Sequence, residues 1–288
     1  MKSVEIIYRY CAQTESARPR PANSDEARQR LSEGNHAFAA LLDSMAGDEG
    51  IARRIIEVDS RDFGLAGGSG ESPKQRPFAA VLGCSDARVP IELIFNEGPN
   101  DLFVIRVAGN GLGSEVLGSL SYAVKNLGGS IKLIAVLGHS GCGAVSAAVD
   151  IFLDPRRYFE HAATHSLRGI LDRMLVVVQA SAIRMQEVFG PDVVHYPGYR
   201  SALIEASIVV NAALAAYTVD QELKSQEFSG INAVYGVYVV ESREVWAPHR
   251  GTAIWTGLAD PPTDLESFAE LGNIVLHSNR ISMILKAE

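Results

Sequence analysis

The soft, metal-binding side chains of this sequence gather in two short motifs. Gly83-Cys84-Ser85-Asp86-Ala87-Arg88 holds one cysteine, and Gly138-His139-Ser140-Gly141-Cys142-Gly143 holds a histidine and a second cysteine. Thiolate and imidazole are ligands that zinc prefers, so Cys84, His139 and Cys142 together offer a Cys2His set for one Zn2+ per chain. Neither motif contains a fourth Cys or His. A structural zinc site normally closes with four protein ligands, whereas a catalytic one leaves its fourth position to water, so the ligand count points to catalysis. Zinc brings the pKa of water toward neutrality, which supplies a nucleophile for hydration or hydrolysis. Two thiolates donate charge to the metal and oppose that ionisation, so activity is expected to rise toward alkaline pH.

An isolated H-x-x-C is a common chance spacing. Its company gives it meaning: the turn bearing Cys84 also carries Asp86 and Arg88, two residues apart. On an extended turn these side chains can point the same way and form a bidentate pair. Asp86 would then stay ionised, accepting a hydrogen bond from the nucleophile or swinging into the open position to switch the site off. A plain ion pair that fixes the loop is the alternative use of the same spacing. Other zinc patterns are missing, namely H-E-x-x-H of metalloproteases and the deaminase pair of H-x-E with P-C-x-x-C. There is no P-loop, and Gly109-Asn110-Gly111-Leu112-Gly113 lacks the full G-x-G-x-x-G spacing of dinucleotide binding.

Both motifs begin where an apolar run ends. Phe78 to Leu82, Leu102 to Val107, Leu133 to Leu137 and Ile231 to Val240 read as strands, and continuous apolar runs of that length suit strands covered on both faces. Between them Ser114 to Leu127 reads as a helix, with Ser114 as N-cap and Gly128-Gly129 as its stop. Two longer helices are expected at His165 to Phe189 and Tyr199 to Ser225, the second apolar on most sides. Strand and helix in alternation imply α/β architecture: an open, mainly parallel central sheet flanked by helices. Ligands bind at the carboxyl ends of such strands, so the two motifs should converge although more than fifty residues separate them.

Upstream, residues 1–23 read as an N-terminal arm without a convincing period, containing Pro19 and Pro21. An amphipathic helix follows, with Ser24 as N-cap, Asp25 and Glu26 in the first turn, and Leu31, Phe38, Leu41 and Leu42 on one face. Residues 64–77, crowded with Gly, Ser and Pro, read as a loop. Residues 24–288 are expected to form one α/β domain, with an extended helical segment at about 152–199.

Composition narrows the field. Of 288 residues, 47% are hydrophobic and 21% charged, as in ordinary globular proteins, and the net charge of -8 disfavours nucleic acid or an anionic membrane surface as partner. The apolar run at 204–216 is interrupted by Glu205, Ser207 and Asn211 and is too short to span a bilayer. No secretory signal is visible at the N-terminus, so a cytoplasmic location is the expectation. Three cysteines do not describe a disulfide framework, and Cys11 reads as a free thiol.

With these motifs in hand, the sequence resembles the beta-class carbonic anhydrases of bacteria. The run Gly83 to Pro90, with Glu92 and Phe95 behind it, is similar to that family's zinc-ligand loop. Asp101 to Asn110, Ser121 to Val124 and Gly138 to Val145 resemble further stretches in the same order and spacing. Similarity runs from about Leu31 to Val149 and resumes at Val234 to Val240. The resemblance implies a homodimer or higher homo-oligomer, built partly by exchanged N-terminal helices. It also implies reversible hydration of carbon dioxide to bicarbonate and a proton, by attack of zinc-bound hydroxide. Carried over by position, Cys84, His139 and Cys142 are the zinc ligands, and Asp86 with Arg88 is the catalytic dyad. Gln75, nine residues before Cys84, matches a glutamine that in some members reaches across the dimer interface to a substrate oxygen; its alternative is a loop residue that meets water. Tyr122 matches a pocket tyrosine, and Gly83 offers a close backbone approach to the substrate.

The sequence also departs from the family. Ala87 stands where serine is usual, and Val81 replaces the tryptophan of bicarbonate-inhibited members, which makes their second bicarbonate site less expected here. Two other functions share the same ligands: hydrolysis of carbon disulfide or carbonyl sulfide, and a non-catalytic zinc-binding subunit. His36, His161, His165, His195, His249 and His277 would matter as proton shuttles only if one lay at the mouth of the site.

Overall fold

The computed structural model describes residues 3–11, 19–41, 51–63, 72–226, 228–248 and 257–286. The four apolar runs are strands β3 (Ala79–Gly83), β4 (Leu102–Arg106), β5 (Leu133–His139) and β6 (Asn232–Tyr238), all parallel to their neighbours. The order is β4-β3-β5-β6, closed by the short antiparallel β7 (Val245–Trp246). The fold is therefore α/β, with an open, mainly parallel sheet flanked by helices.

The runs are apolar at every position because both faces of the sheet are covered. Ala80 and Leu82 of β3, with Ile134 and Val136 of β5, join one core together with α3 (Ser114–Leu127), α4 (Gly143–Leu153), α6 (His165–Phe189) and α7 (Tyr199–Ser225). Ala79, Val81, Leu133, Ala135 and Leu137 face the opposite side and pack on α1 (Ser24–Ala40) and the one-turn α2 (Ile91–Ile94). Beyond α4 a one-turn helix, α5 (Tyr158–His161), precedes α6, and the chain ends in α8 (Leu265–Leu276) and α9 (Asn279–Lys286).

The N-terminal arm departs from the sequence expectation. Residues 3–11, read as having no period, form a strand, β1 (Ser3–Cys11), parallel to an unanticipated β2 (Ile51–Asp59) in a separate two-stranded sheet. Ser3-Val4-Glu5-Ile6-Ile7-Tyr8 is rich in β-branched and aromatic residues, but its partner lies nearly fifty residues on, and no local signal announces such a pairing. The helix that follows the arm begins at Ser24. Asn23, not Ser24, caps α1: its side chain accepts from Glu26 N at 2.9 Å while the Glu26 carboxylate accepts from Ala22 N at 2.8 Å. At α3 the cap is Gly113, without a side-chain hydrogen bond. Leu42 and most of the 64–77 loop lie outside the described residues.

By length and composition α7 would serve to cross a membrane, with a mean hydropathy of 1.7 over 18 residues, which the run at 204–216 did not register. Most of that window is buried in the protein, between the sheet and α6, which is what an apolar core helix requires.

Candidate metal centre

Register brings the two motifs together. Gly83 pairs with Leu137, so Cys84 leaves β3 level with Gly138, and β5 runs on to His139. The strands end at the same edge of the sheet. Cys142, three residues after His139, is the N-cap of α4. Cys84, His139 and Cys142 are buried, with ligand atoms all within 4.8 Å of one another.

The geometry fits a tetrahedral cation. The sulfurs of Cys84 and Cys142 are 3.9 Å apart, and two thiolates on one tetrahedral zinc would lie about 3.8 Å apart, given Zn–S bonds of ~2.3 Å. His139 Nδ1 lies 3.0 Å from the Ser140 carbonyl, which only accepts, so Nδ1 carries the hydrogen. Nε2 is left with its lone pair, buried and without a hydrogen-bond partner. Leaving such an acceptor unsatisfied costs on the order of 1–3 kcal/mol, a cost that a cation between Nε2 and the sulfurs removes. The residues present therefore fit a zinc ion. The two sulfurs are hydrogen-bonded through a shared proton, and this pairing draws the Cys84 thiol down while the same pairing and burial push Cys142 up. A divalent cation would release that proton, as thiolate ligation requires.

The Cys84 turn is fixed from three directions. Gly109 N donates to Cys84 Sγ at 3.3 Å, Arg106 Nε donates to the Cys84 carbonyl at 3.0 Å, and the Arg106 guanidinium also reaches the Asp86 carbonyl. Gly109 has φ 62°, a left-handed conformation that favours glycine, and a Cβ there would also displace the Met174 side chain. Gly83 has a packing role within the chain: a Cβ there would come within 2.6 Å of Ile91 Cδ1.

Asp86 and Arg88 form the expected bidentate pair. Arg88 Nε donates to Oδ1 at 3.0 Å and Nη2 to Oδ2 at 2.7 Å, and the Arg88 backbone N donates to Oδ1 at 2.8 Å. Those bonds hold the Asp86 carboxyl well below the usual carboxylate range, with the nearby His139 adding to the effect. Asp86 Oδ2 also lies 3.8 Å from His139 Nε2, placing the carboxylate at the rim of the cluster.

Gln75 and Tyr122 lie apart from this group within one chain. Gln75 is exposed, at the amino end of the strand whose carboxyl end leads to Cys84. Tyr122 is 57% exposed on α3. Of the remaining histidines, His36, His165, His195 and His277 are exposed, His161 lies 3.9 Å from Asp150, and His249 is outside the described residues.

Four residues around the cluster escaped the sequence analysis as functional candidates. Glu205 of α7 accepts from Gly141 N at 2.9 Å, and Asn211 of α7 donates to the Gly109 carbonyl at 2.9 Å. Glu241 accepts from Ser140 Oγ at 3.1 Å, and Arg280 of α9 pairs with Glu205 at 2.8 Å. One signal was available: Glu205 and Asn211 are polar interruptions of the apolar run at 204–216, and a polar residue on a packed helix face needs a partner.

Comparison with known proteins places these residues in context. The family model described as carbonic anhydrase matches residues 79–236, more than half of the chain. "Carbonic anhydrase 2" of Mycobacterium tuberculosis (strain ATCC 25618 / H37Rv) is 42% identical over 127 residues, 44% of this chain and 53% of that protein. A carbonic anhydrase of Synechococcus elongatus is 28% identical over 210 residues, 68% of this chain and 69% of that protein. The solved structure of the beta-carbonic anhydrase CcaA aligns over 80% of this chain and 98% of its own, at 23% identity and a TM-score of 0.49. The chain thus spans about half the length of the mycobacterial relative it matches.

Proposed function

Since the chain belongs to the beta-class carbonic anhydrase family, we propose that it catalyses the reversible reaction of carbon dioxide with water to give bicarbonate and a proton. The observation that carries this is the buried, unpartnered Nε2 of His139 beside two sulfurs 3.9 Å apart. Cys84, His139 and Cys142 would hold a zinc ion, whose Lewis acidity would supply a water-derived nucleophile at physiological pH. The chain's own residues do the rest. The Ser140 carbonyl keeps the hydrogen of His139 on Nδ1 and so presents Nε2 in the ligating form. Gly109 N donates to Cys84 Sγ and stabilises its thiolate.

Asp86 is the acceptor at the rim. Kept ionised by Arg88, its Oδ2 takes a hydrogen bond from the attacking O–H and thereby orients the oxygen lone pair toward the carbon of carbon dioxide. In the reverse direction the same carboxylate selects bicarbonate bound through its O–H. Gln75 acts in the site of a second copy, donating from its side-chain amide to a substrate oxygen, and the working form is accordingly a homo-oligomer.

The test is stopped-flow carbon dioxide hydration with a parallel zinc count, on the native chain and on Cys84→Ala, His139→Ala and Asp86→Asn. Cys84→Ala and His139→Ala are expected to lose metal and activity together. Asp86→Asn should keep about one zinc per chain while its rate falls on the order of 10²-fold or more. A native protein that binds zinc without hydrating carbon dioxide above buffer would refute the assignment.

A further inference from the structure

The turn from His139 to Cys142 must deliver an imidazole nitrogen and a sulfur to one point, yet it has little rigidity of its own. Gly141 sits at φ 62° with nothing within 4 Å of where its Cβ would be, so neither a side chain nor packing holds it. What holds it is a carboxylate. Glu205 of α7 accepts the Gly141 N–H through Oε1, and its other oxygen is taken by Arg280 of α9, through Nε at 2.9 Å and Nη2 at 2.8 Å. The Glu205 side chain is only 12% exposed, so both partners act on a largely desolvated charge.

Arg280 also lies 3.7 Å from Glu241, whose carboxylate accepts from Ser140 Oγ. Ser140 Oγ in turn accepts from Val240 N at 3.0 Å. Both residues between the two ligands, Ser140 and Gly141, are therefore tied to carboxylates that share one guanidinium. Two carboxylates against one arginine leave a net negative charge beside the turn, which favours a cation in the cluster.

Resting on the zinc reading of the cluster given above, we propose that Glu205 and Arg280 are positioning residues that set the His139–Cys142 turn and so tune metal affinity, coupling the C-terminal helix α9 to the site. Neither touches a ligand atom. Their effect passes through the Gly141 amide, as hydrogen bonds behind a metal's direct ligands commonly act.

Zinc affinity, measured by competition with a chromophoric chelator, tests this without recourse to turnover. Glu205→Ala is expected to weaken binding about 10–100-fold, and Arg280→Ala to weaken it in the same direction. Glu205→Gln should fall between, because its amide oxygen still accepts from Gly141 N while its NH2 cannot pair with Arg280. The visible spectrum of the cobalt-loaded protein should shift in Glu205→Ala. Arg200→Ala is the matched control, since it breaks an ion pair of α7 with Asp150 and touches neither ligand turn. It should leave affinity within about twofold.

Unchanged affinity in Glu205→Ala, or an equal loss in Arg200→Ala, overturns the proposal. Should Glu205→Ala fail to fold, Arg280→Ala decides by the same criterion. A native chain that binds no zinc defeats the metal assignment itself, and this proposal with it, whereas a native chain that binds tightly beside an indifferent Glu205→Ala defeats this proposal alone.

Discussion

The imidazole of His139 has its two nitrogens in opposite roles. Nδ1 is satisfied by a neighbouring carbonyl, and Nε2, equally buried, faces only sulfur and the rim carboxylate. A core histidine placed for packing alone would be expected to satisfy both, and His161 Nε2 is orphaned as well, so what marks His139 as a ligand is an orphaned Nε2 beside two sulfurs. Asp86 bears on the pH profile. Its carboxyl is held low, so it is charged above the unfolded carboxylate value of about 3.9 and loses that charge only as pH falls through its depressed folded value. Any stability it contributes is thus fully present at neutral pH and is lost only in strong acid. A pH dependence between 6 and 9 must then come from elsewhere. Two thiolates feed negative charge into the cluster and oppose formation of another anion there, so the hydration rate is expected to climb from pH 6 to pH 9; a flat profile over that range contradicts the thiolate assignment.

At the scale of elements, α7 does two jobs that usually conflict. It is an apolar core helix, packed so tightly against β5 that a Cβ on Gly138 would lie 3.2 Å from Ile208 Cγ2 and 3.4 Å from Ala212 Cβ. It also carries Glu205, which reaches the turn between His139 and Cys142, and Asn211, which reaches Gly109, the residue beyond β4 whose N–H donates to Cys84 Sγ. Its N-terminal flank is equally close to α9, since a Cβ on Gly198 would strike the Ile284 carbonyl, a backbone group that cannot rotate away. Gly198→Ala is therefore expected to displace α9 and destabilise the protein by about 1–3 kcal/mol. Because α9 holds Arg280, the same change should weaken zinc binding in the direction of Arg280→Ala. Urea denaturation and chelator competition on one sample check both expectations, and an unaltered midpoint would show that α9 yields at no cost.

For the whole molecule, the role proposed for Gln75 requires more than one chain, because Gln75 is exposed at the amino end of β3 whereas the metal cluster lies at the carboxyl end. Within one chain the length of the strand separates them, so service in the site of a second copy is the arrangement that gives Gln75 a catalytic use. Asn100 fixes the backbone on either side of Gln75, donating to the Lys74 carbonyl at 3.0 Å and accepting from Arg76 N at 3.0 Å. Subunit mixing provides the test. Gln75→Ala and Asp86→Asn proteins should each be impaired alone. After dissociation and reassembly of an equal mixture, half the dimers carry one of each, and one site in each of these recovers both native residues. Activity should therefore return to about a quarter of the native value. No gain over the average of the separate variants would place Gln75 outside the partner's site.

What the sequence determined alone is nearly everything that local chemistry or local periodicity encodes. The convergence of Cys84, His139 and Cys142 was legible because a metal site constrains residue type so strongly, and Asp86 with Arg88 because a pair two residues apart needs no tertiary partner to meet. Strands β3 to β6 and helices α3, α6 and α7 announced themselves through apolar runs and turn residues. The tertiary structure decided what depends on pairing across distance. β1 with β2, the register that sets Cys84 level with Gly138, and the contacts of Glu205 with Gly141 on one side and Arg280 on the other all join residues far apart in the chain. A polar residue in an apolar helix declares that it needs a partner, but only the packing of one helix against another chooses which.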